Sequence, residues 1–439
     1  MKKIIIVLLM SFLLVSCSKN NTLDEVNLFS SSLLAVTLDG ESWGYVNAEG
    51  EAIIDYKFVN ASAFYNDQAI VIKDQRFKLI DTTGKDILDE TYDYLYRDQE
   101  TGLLLFMKDA KWSIINEKGK VILEPIYEVL KPFKEGLSVV RLGELYGYIN
   151  DKGEVAIDLK YSHTDDFKNG YAVTQDSLYR SGLIDQEGEI VLDHINDDIK
   201  DVDLSKNVIV RTGSDDVASY DLISIEEQQV LLEDYKLIYA QDTFGSGKLY
   251  AGIKDQYREL YDHKGNKANN DEYIYLLVHG GYLISYEEKD AIPTGTVNGN
   301  HMFTLYDENL DEIITTHISN GQPIAYEKDN EIKILLAVTD DEYLDIYGLD
   351  KTYRLKASGV ETMTEDLFIA KDGPFVGAYD RDLEVVIDFV YQSLKAYDDG
   401  FVLFRKLYLF GVMDKQYNII INETYKYINA DINVFFQPY

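Results

Sequence analysis

The chain has 439 residues, with 42 Lys+Arg against 77 Asp+Glu, a formal charge of −35, six His and one Cys. At 46% apolar and 13% aromatic it is no disordered chain, and its charge argues against a phosphate-backbone partner, for which clustered Lys and Arg supply the affinity. A single Cys excludes any intrachain disulfide and any Cys-based zinc site, while six Pro and 35 Tyr suit a strand-rich chain.

Residues 1–16 open with Met1-Lys2-Lys3 and an apolar run from Ile4 to Val15, the pattern of a secretory signal and too short for a comfortable membrane span. Leu14-Val15-Ser16-Cys17 resembles the bacterial lipobox, in which the Cys is acylated and becomes the mature N-terminus. Cys17 is therefore the expected lipid attachment point, with residues 17–28 as a short tether in the cell envelope, outside the cytoplasm. Two or three acyl chains give firm anchoring, whereas a surface this acidic is not held to an anionic bilayer by charge.

A repeat of 34–35 residues follows. An apolar residue, Asn or Asp, two residues and Gly recur at Asn47/Gly50, Asp81/Gly84, Asn116/Gly119, Asn150/Gly153 and Asp185/Gly188. Eight residues after each Asn/Asp stands an acid (Asp55, Asp89, Glu124, Asp158, Asp193), and three further on usually an aromatic (Phe58, Tyr92, Tyr127, Tyr161). Phe64, Phe133 and Phe167 come next, with Gly136 and Gly170 three residues later. Residues 29–214 carry the pattern well and 375–439 carry it again (Asp380, Asp388, Tyr391; Asp414, Asn422, Tyr425). Residues 215–374 keep a degenerate form, interrupted by an inserted loop near 287–301.

Alternation and turn residues predict strands at Leu137–Leu142, Tyr146–Ile149 and Val155–Asp158, with a fourth over Tyr161–Phe167. Connections this short permit antiparallel pairing and leave no room for crossover helices. The expectation is an all-β array of about eleven antiparallel meanders, stacked as a β-propeller-like or open β-solenoid structure. One surplus strand, placed over Ile432–Phe436, is expected to leave the array open or incompletely closed.

With Trp43-Gly44, Trp112-Ser113 and Tyr146-Gly147 each leading into the Asn-x-x-Gly turn, the chain resembles the WG-repeat family. The resemblance implies the repeat architecture and no defined activity or cofactor. Phe77-Lys78, Trp112-Ser113, Ser181-Gly182 and Phe410-Gly411 depart from its leading pair.

No His stands in metal-ligand spacing, Gly245-Ser246-Gly247-Lys248 lacks the remainder of a phosphate loop, and no nucleophile elbow exists. The acid row could line up as a calcium ladder or a patch for a cationic partner, and the aromatic row as stacking platforms. Structural roles at strand ends and in the core are the simpler reading of both. The expected function is a non-enzymatic, lipid-anchored scaffold for a protein or envelope polymer, with no metal or cofactor and no nucleic acid. The alternatives are a propeller-type hydrolase or a calcium-stiffened spacer.

Overall fold

A computed structural model describes residues 27–434 apart from 201, 214–217, 241–248, 254–257, 268–274, 280–281, 287–300, 307–311, 319–320, 329–330, 340–342, 348–351, 364–366 and 381. The signal and Cys17, the 245–248 stretch and the loop near 287–301, up to its last residue, lie outside the described residues.

Among the described residues there is no helix, and the strands form eleven antiparallel sheets, nine of four strands and two of three. Numbered in chain order, the sheets span 34–58, 60–81, 94–127, 129–161, 163–196, 198–235, 237–262, 275–318, 321–355, 359–391 and 393–425. The expected tandem meander is thus present through the degenerate region as well. Sheet 4 shows the pattern in full: Val129–Leu130, Leu137–Leu142, Leu145–Asn150 and Val155–Tyr161. The strand expected over Tyr161–Phe167 is therefore corrected. Tyr161 ends the last strand of sheet 4, and beyond it only His163–Thr164 is extended, opening sheet 5. Phe167 stands in the following loop, buried against Tyr148 with ring centroids 4.8 Å apart.

Turn chemistry explains the regular strand lengths. Asn150 accepts the Lys152 and Glu154 N–H groups on Oδ1, each at 3.0 Å, and Gly153 takes φ +77° to close the bend. Asn47, Asp81, Asn116, Asp185, Asp262, Asp380 and Asp414 make the same pair of bonds, which is why only Asn or Asp recurs there. Gly50, Gly84, Gly119 and Gly188 hold the left-handed place of Gly153 in their own turns, at φ +78° to +81°. Each turn also rests on the closing stretch of the sheet before it. A Cβ added at Gly84 would meet Ile54, at Gly119 Leu88 and at Gly188 Ile157, while at Gly50 it would meet Ile421 of sheet 11. These signature glycines therefore belong to turns and to packing between sheets. The Phe-x-x-Gly ending is a second tight turn, in which Glu135-Gly136 and Asn169-Gly170 are both left-handed.

Neighbouring sheets share their apolar faces. Sheets 4 and 5 enclose Val139, Tyr148, Ile157, Tyr161, Phe167, Ala172 and Ile184. Equivalent cores join each pair from sheet 1 to sheet 7, and sheets 10 and 11. Each fully buried Val, Leu or Ile contributes about 1.5–3 kcal/mol, so the stack depends on its neighbours.

The surplus strand is real, but it lies at Tyr427–Asn429 and does not stand free. It pairs with Leu34–Thr37 and completes sheet 1 as its fourth strand. Leu28, Leu34, Val36 and Val46 pack there against Val412, Ile421 and Tyr425 of sheet 11. The residues beyond run on across sheets 2 and 3. Asp431 O accepts the Ala63 N–H at 2.6 Å, Asn433 exchanges two bonds with the Arg97 backbone (2.8 and 3.0 Å), and Val434 enters the next core. Sheet 1 takes its fourth strand from the far end of the chain because it lacks a first strand of its own.

Candidate interaction surface

The aromatic-Gly pair acts through the last strand of each sheet. Tyr148 faces Ile157 and Tyr146 faces Tyr161, so two residues on the third strand span four on the last, and a bulge results. Sheets 1, 3, 5, 10 and 11 repeat it. In sheet 4 the bulged backbone lies directly on Gly147, where a Cβ would stand 2.6 Å from Ile157 O and 2.8 Å from Leu159 N. Gly44 meets Ile54 O in the same way.

Three sheets solve the approach differently. Ser113 donates its hydroxyl to Leu123 O in the bulge of sheet 3. Asp221 accepts the Asp234 N–H at 2.9 Å in sheet 6, whose bulge is one residue shorter. With Lys78 at this place in sheet 2 the last strand does not form. Only the bridges Ile80↔Asp86 and Phe77↔Tyr92 remain, and Lys78 pairs with Asp86.

The bulge decides where the two predicted rows go. Asp55, Glu124, Asp158 and Asp193 sit on it, exposed, and Asp89 is exposed in the strandless stretch of sheet 2. Among the described residues no group of three or more His, Cys, Asp or Glu is placed to hold a metal ion. Phe58, Tyr92, Tyr127 and Tyr161, beyond the bulge, turn inward and are buried, so these rings fill the core and offer no stacking platform. Burial pushes the Tyr92 and Tyr127 hydroxyls above their usual range. The leading aromatics lie between these layers. Trp43 is buried, and Trp112 meets Tyr94 edge-on at 5.5 Å.

Sequence reading missed the apolar row beside the acids. Five residues after the turn Asn/Asp stand Val121, Val155, Ile190, Val385 and Ile419, 44–56% exposed, on the last strands of sheets 3, 4, 5, 10 and 11. Ile126, Ile195 and Val390, within the bulges of sheets 3, 5 and 10, are exposed as well. The only signal in the sequence is that this position is repeatedly β-branched, which any strand would also explain. In sheets 4, 5 and 11 the hairpin tips between second and third strands are apolar too: Leu142, Leu145, Leu178, Tyr179, Leu407 and Tyr408 are exposed. Leu407 and Tyr408 hold φ of +50° and +69°, a left-handed turn that bulky side chains adopt at a cost.

Sequence reading also missed the capping residues between sheets. Glu128 Oε2 accepts the Gly143 N–H at 2.6 Å, Asp197 that of Gly213 at 2.7 Å and Gln392 that of Tyr408 at 3.0 Å. At the opposite end Glu135 accepts from Gly170 at 2.7 Å and Asp399 from Phe29 at 3.2 Å.

Four stretches of the chain, 43–77, 112–146, 146–176 and 377–408, match the family model described as WG containing repeat. No curated protein matches the chain. Among solved structures, a eukaryotic initiation factor is 13% identical, with 74% of this chain and 96% of that one covered and a TM-score of 0.36. Kluyveromyces lactis Hsv2 is 12% identical over 62% of this chain and 94% of its own, with a TM-score of 0.28. The dihydro-heme d1 dehydrogenase NirN in complex with DHE is 11% identical over 66% and 74%, with a TM-score of 0.27.

Proposed function

We propose that the protein is a non-enzymatic binding scaffold, held by acyl chains on Cys17 to the outer side of a bacterial membrane. The apolar and acidic surface of its last strands would hold a partner protein or envelope polymer. The observation that carries this reading is the exposed row Val121, Val155 and Ile190 on three consecutive sheets, each beside an exposed acid. Contiguous exposed apolar patches mark interaction surfaces. The recurrence of an exposed β-branched side chain at one position of three consecutive sheets is what supports such a patch here. The acids beside them favour a partner that offers basic groups with apolar ones.

The fold also suits the tether. Leu28 and Phe29 enter sheet 1 at the end that carries the Asn/Asp-x-x-Gly turns. Anchored at Cys17, the molecule would turn that end to the bilayer and its apolar hairpin tips away from it.

The test is affinity capture with the wild-type chain and with V121S/V155S/I190S, whose changed side chains already face water. A stoichiometric partner of the wild type should be lost by at least tenfold in the variant, with the melting temperature unchanged. Equal capture by both would remove these strands from the interface. For the anchor, Cys17→Ser should release the protein from the membrane fraction, and an unchanged distribution would refute acylation there.

A further inference from the structure

Among the described residues the step from one sheet to the next is built alike after sheets 1, 3, 4, 5, 6 and 10. The last strand ends, one residue intervenes, and its N–H donates to a carbonyl near the end of the next sheet's second strand. The bonds are Val59 to Ile72 at 2.7 Å, Glu128 to Arg141 at 2.9 Å, Ser162 to Gln175 at 2.9 Å and Gln392 to Arg405 at 2.8 Å. Lys426 makes this same bond to Thr37 at 2.9 Å. The side chain at this position reaches the hairpin tip in sheets 4 and 11, and Lys426 Nζ does so too, donating to Asp39 O at 2.9 Å. The following residues then pair as Val129↔Arg141, His163↔Gln175 and, at the seam, Tyr427↔Thr37.

The joint between sheet 11 and sheet 1 is therefore a copy of the joints that follow sheets 1, 3, 4, 5, 6 and 10, with one difference. Elsewhere the chain runs through the joint into the sheet it completes. Here residues 427–429 and the strand Leu34–Thr37 are held together by pairing and packing alone.

We propose that this seam is exchangeable between molecules: sheet 11 and residues 427–434 of one copy complete sheet 1 of a second copy, in head-to-tail register. When Tyr427–Asn429 lifts away, Leu34–Thr37 becomes an unpaired strand edge beside the apolar Leu34, Val36 and Val46, a template for another chain. A second copy is the occupant that fits. It alone brings Val412, Ile421 and Tyr425 for the core, and Asp431 and Asn433 for Ala63 and Arg97. The contact is heterologous, so it propagates unless the geometry closes. Within one molecule the seam closes intramolecularly, so exchange is expected when copies are crowded or the seam is transiently opened.

The test uses the full chain carrying Cys17→Ser, with Thr37→Cys and Tyr427→Cys made singly and together. In dilute solution the double variant should oxidise within one chain, which shows that the variants retain the fold. When the two single variants are mixed at high concentration, warmed to just below the melting transition, cooled and oxidised, a crosslinked species of twice the mass is expected. It should exceed the self-crosslinking of either single variant at least tenfold and rise with concentration. A double variant that closes only within its own chain at every concentration, with mixed single variants no higher than self-crosslinking, would overturn the proposal.

Discussion

Replacing Gly147 by Ala probes the origin of the repeat's aromatic-Gly signature. The new Cβ would lie 2.6 Å from Ile157 O, 2.8 Å from Leu159 N and 2.9 Å from Asp158 C. All three are backbone atoms, so no side chain can swing aside and the bulge itself must move. Overpacking of this kind costs about 1–3 kcal/mol, here taken at the upper end, and the lower unfolded-state entropy of Ala returns about 0.4–1. The expected net loss is about 2 kcal/mol, which lowers the urea midpoint by about 0.7 M for a slope of about 3 kcal/mol/M. Gly359 is the control, a strand glycine with nothing within 4 Å of the added Cβ, and Gly359→Ala should leave the midpoint unchanged or slightly raised. Gly147→Ser should lose less than Gly147→Ala, because Ser113 shows how a hydroxyl turns this contact into a hydrogen bond. Unfolding curves for the three variants decide the matter. Equal midpoints for Gly147→Ala and Gly359→Ala would refute the account of the glycine.

Asn433→Ala strands a buried N–H and C=O of Arg97, and should cost about 2–4 kcal/mol in chemical denaturation. Tyr161→Phe removes a buried hydroxyl that has no hydrogen-bond partner, so the melting temperature should hold or rise. Tyr148→Phe should lower it, since the Tyr148 hydroxyl donates to Asp165 O at 2.7 Å. Acid should weaken the fold in a defined window. The Arg180 side chain, with the Arg180 and Leu178 N–H groups, holds the Asp176 carboxyl down at about 2, against 3.8 for a free Asp. Backbone N–H bonds also lower Asp414, and the Thr83 hydroxyl lowers Asp81. Their stabilisation is complete above about pH 5, where the unfolded-state carboxyls are also ionised, and is lost as pH falls through the folded-state values. The urea midpoint should therefore drop between pH 5 and pH 2.5, by less in Asp176→Asn than in the wild type.

Much of this architecture is written locally. The Asn/Asp-x-x-Gly turn needs only one side-chain acceptor and one left-handed residue, both fixed by residue type, so its 34–35-residue spacing marked the units and their approximate number. Alternation marked Leu137–Leu142 as a strand because its two faces meet different surroundings. The aromatic row was legible as core for the same reason. The bulge was not, since it depends on a strand crossing above Gly147, and neither Gly147 nor Asp158 alone specifies that crossing. Without the bulge, sequence cannot say which side of the strand Glu124 or Asp158 takes, nor that Val121, Val155 and Ile190 remain in water beside them. The capping residues Glu128, Asp197 and Gln392 act on turns some 15 residues away, so no local pattern betrays them. The fate of the last strand was least legible of all. The sequence by itself determined the repeat, its turns and a surplus strand; tertiary structure alone decided that Tyr427–Asn429 completes sheet 1, because a missing first strand and an extra last one meet only when the stacked sheets bring residues 37 and 427 together.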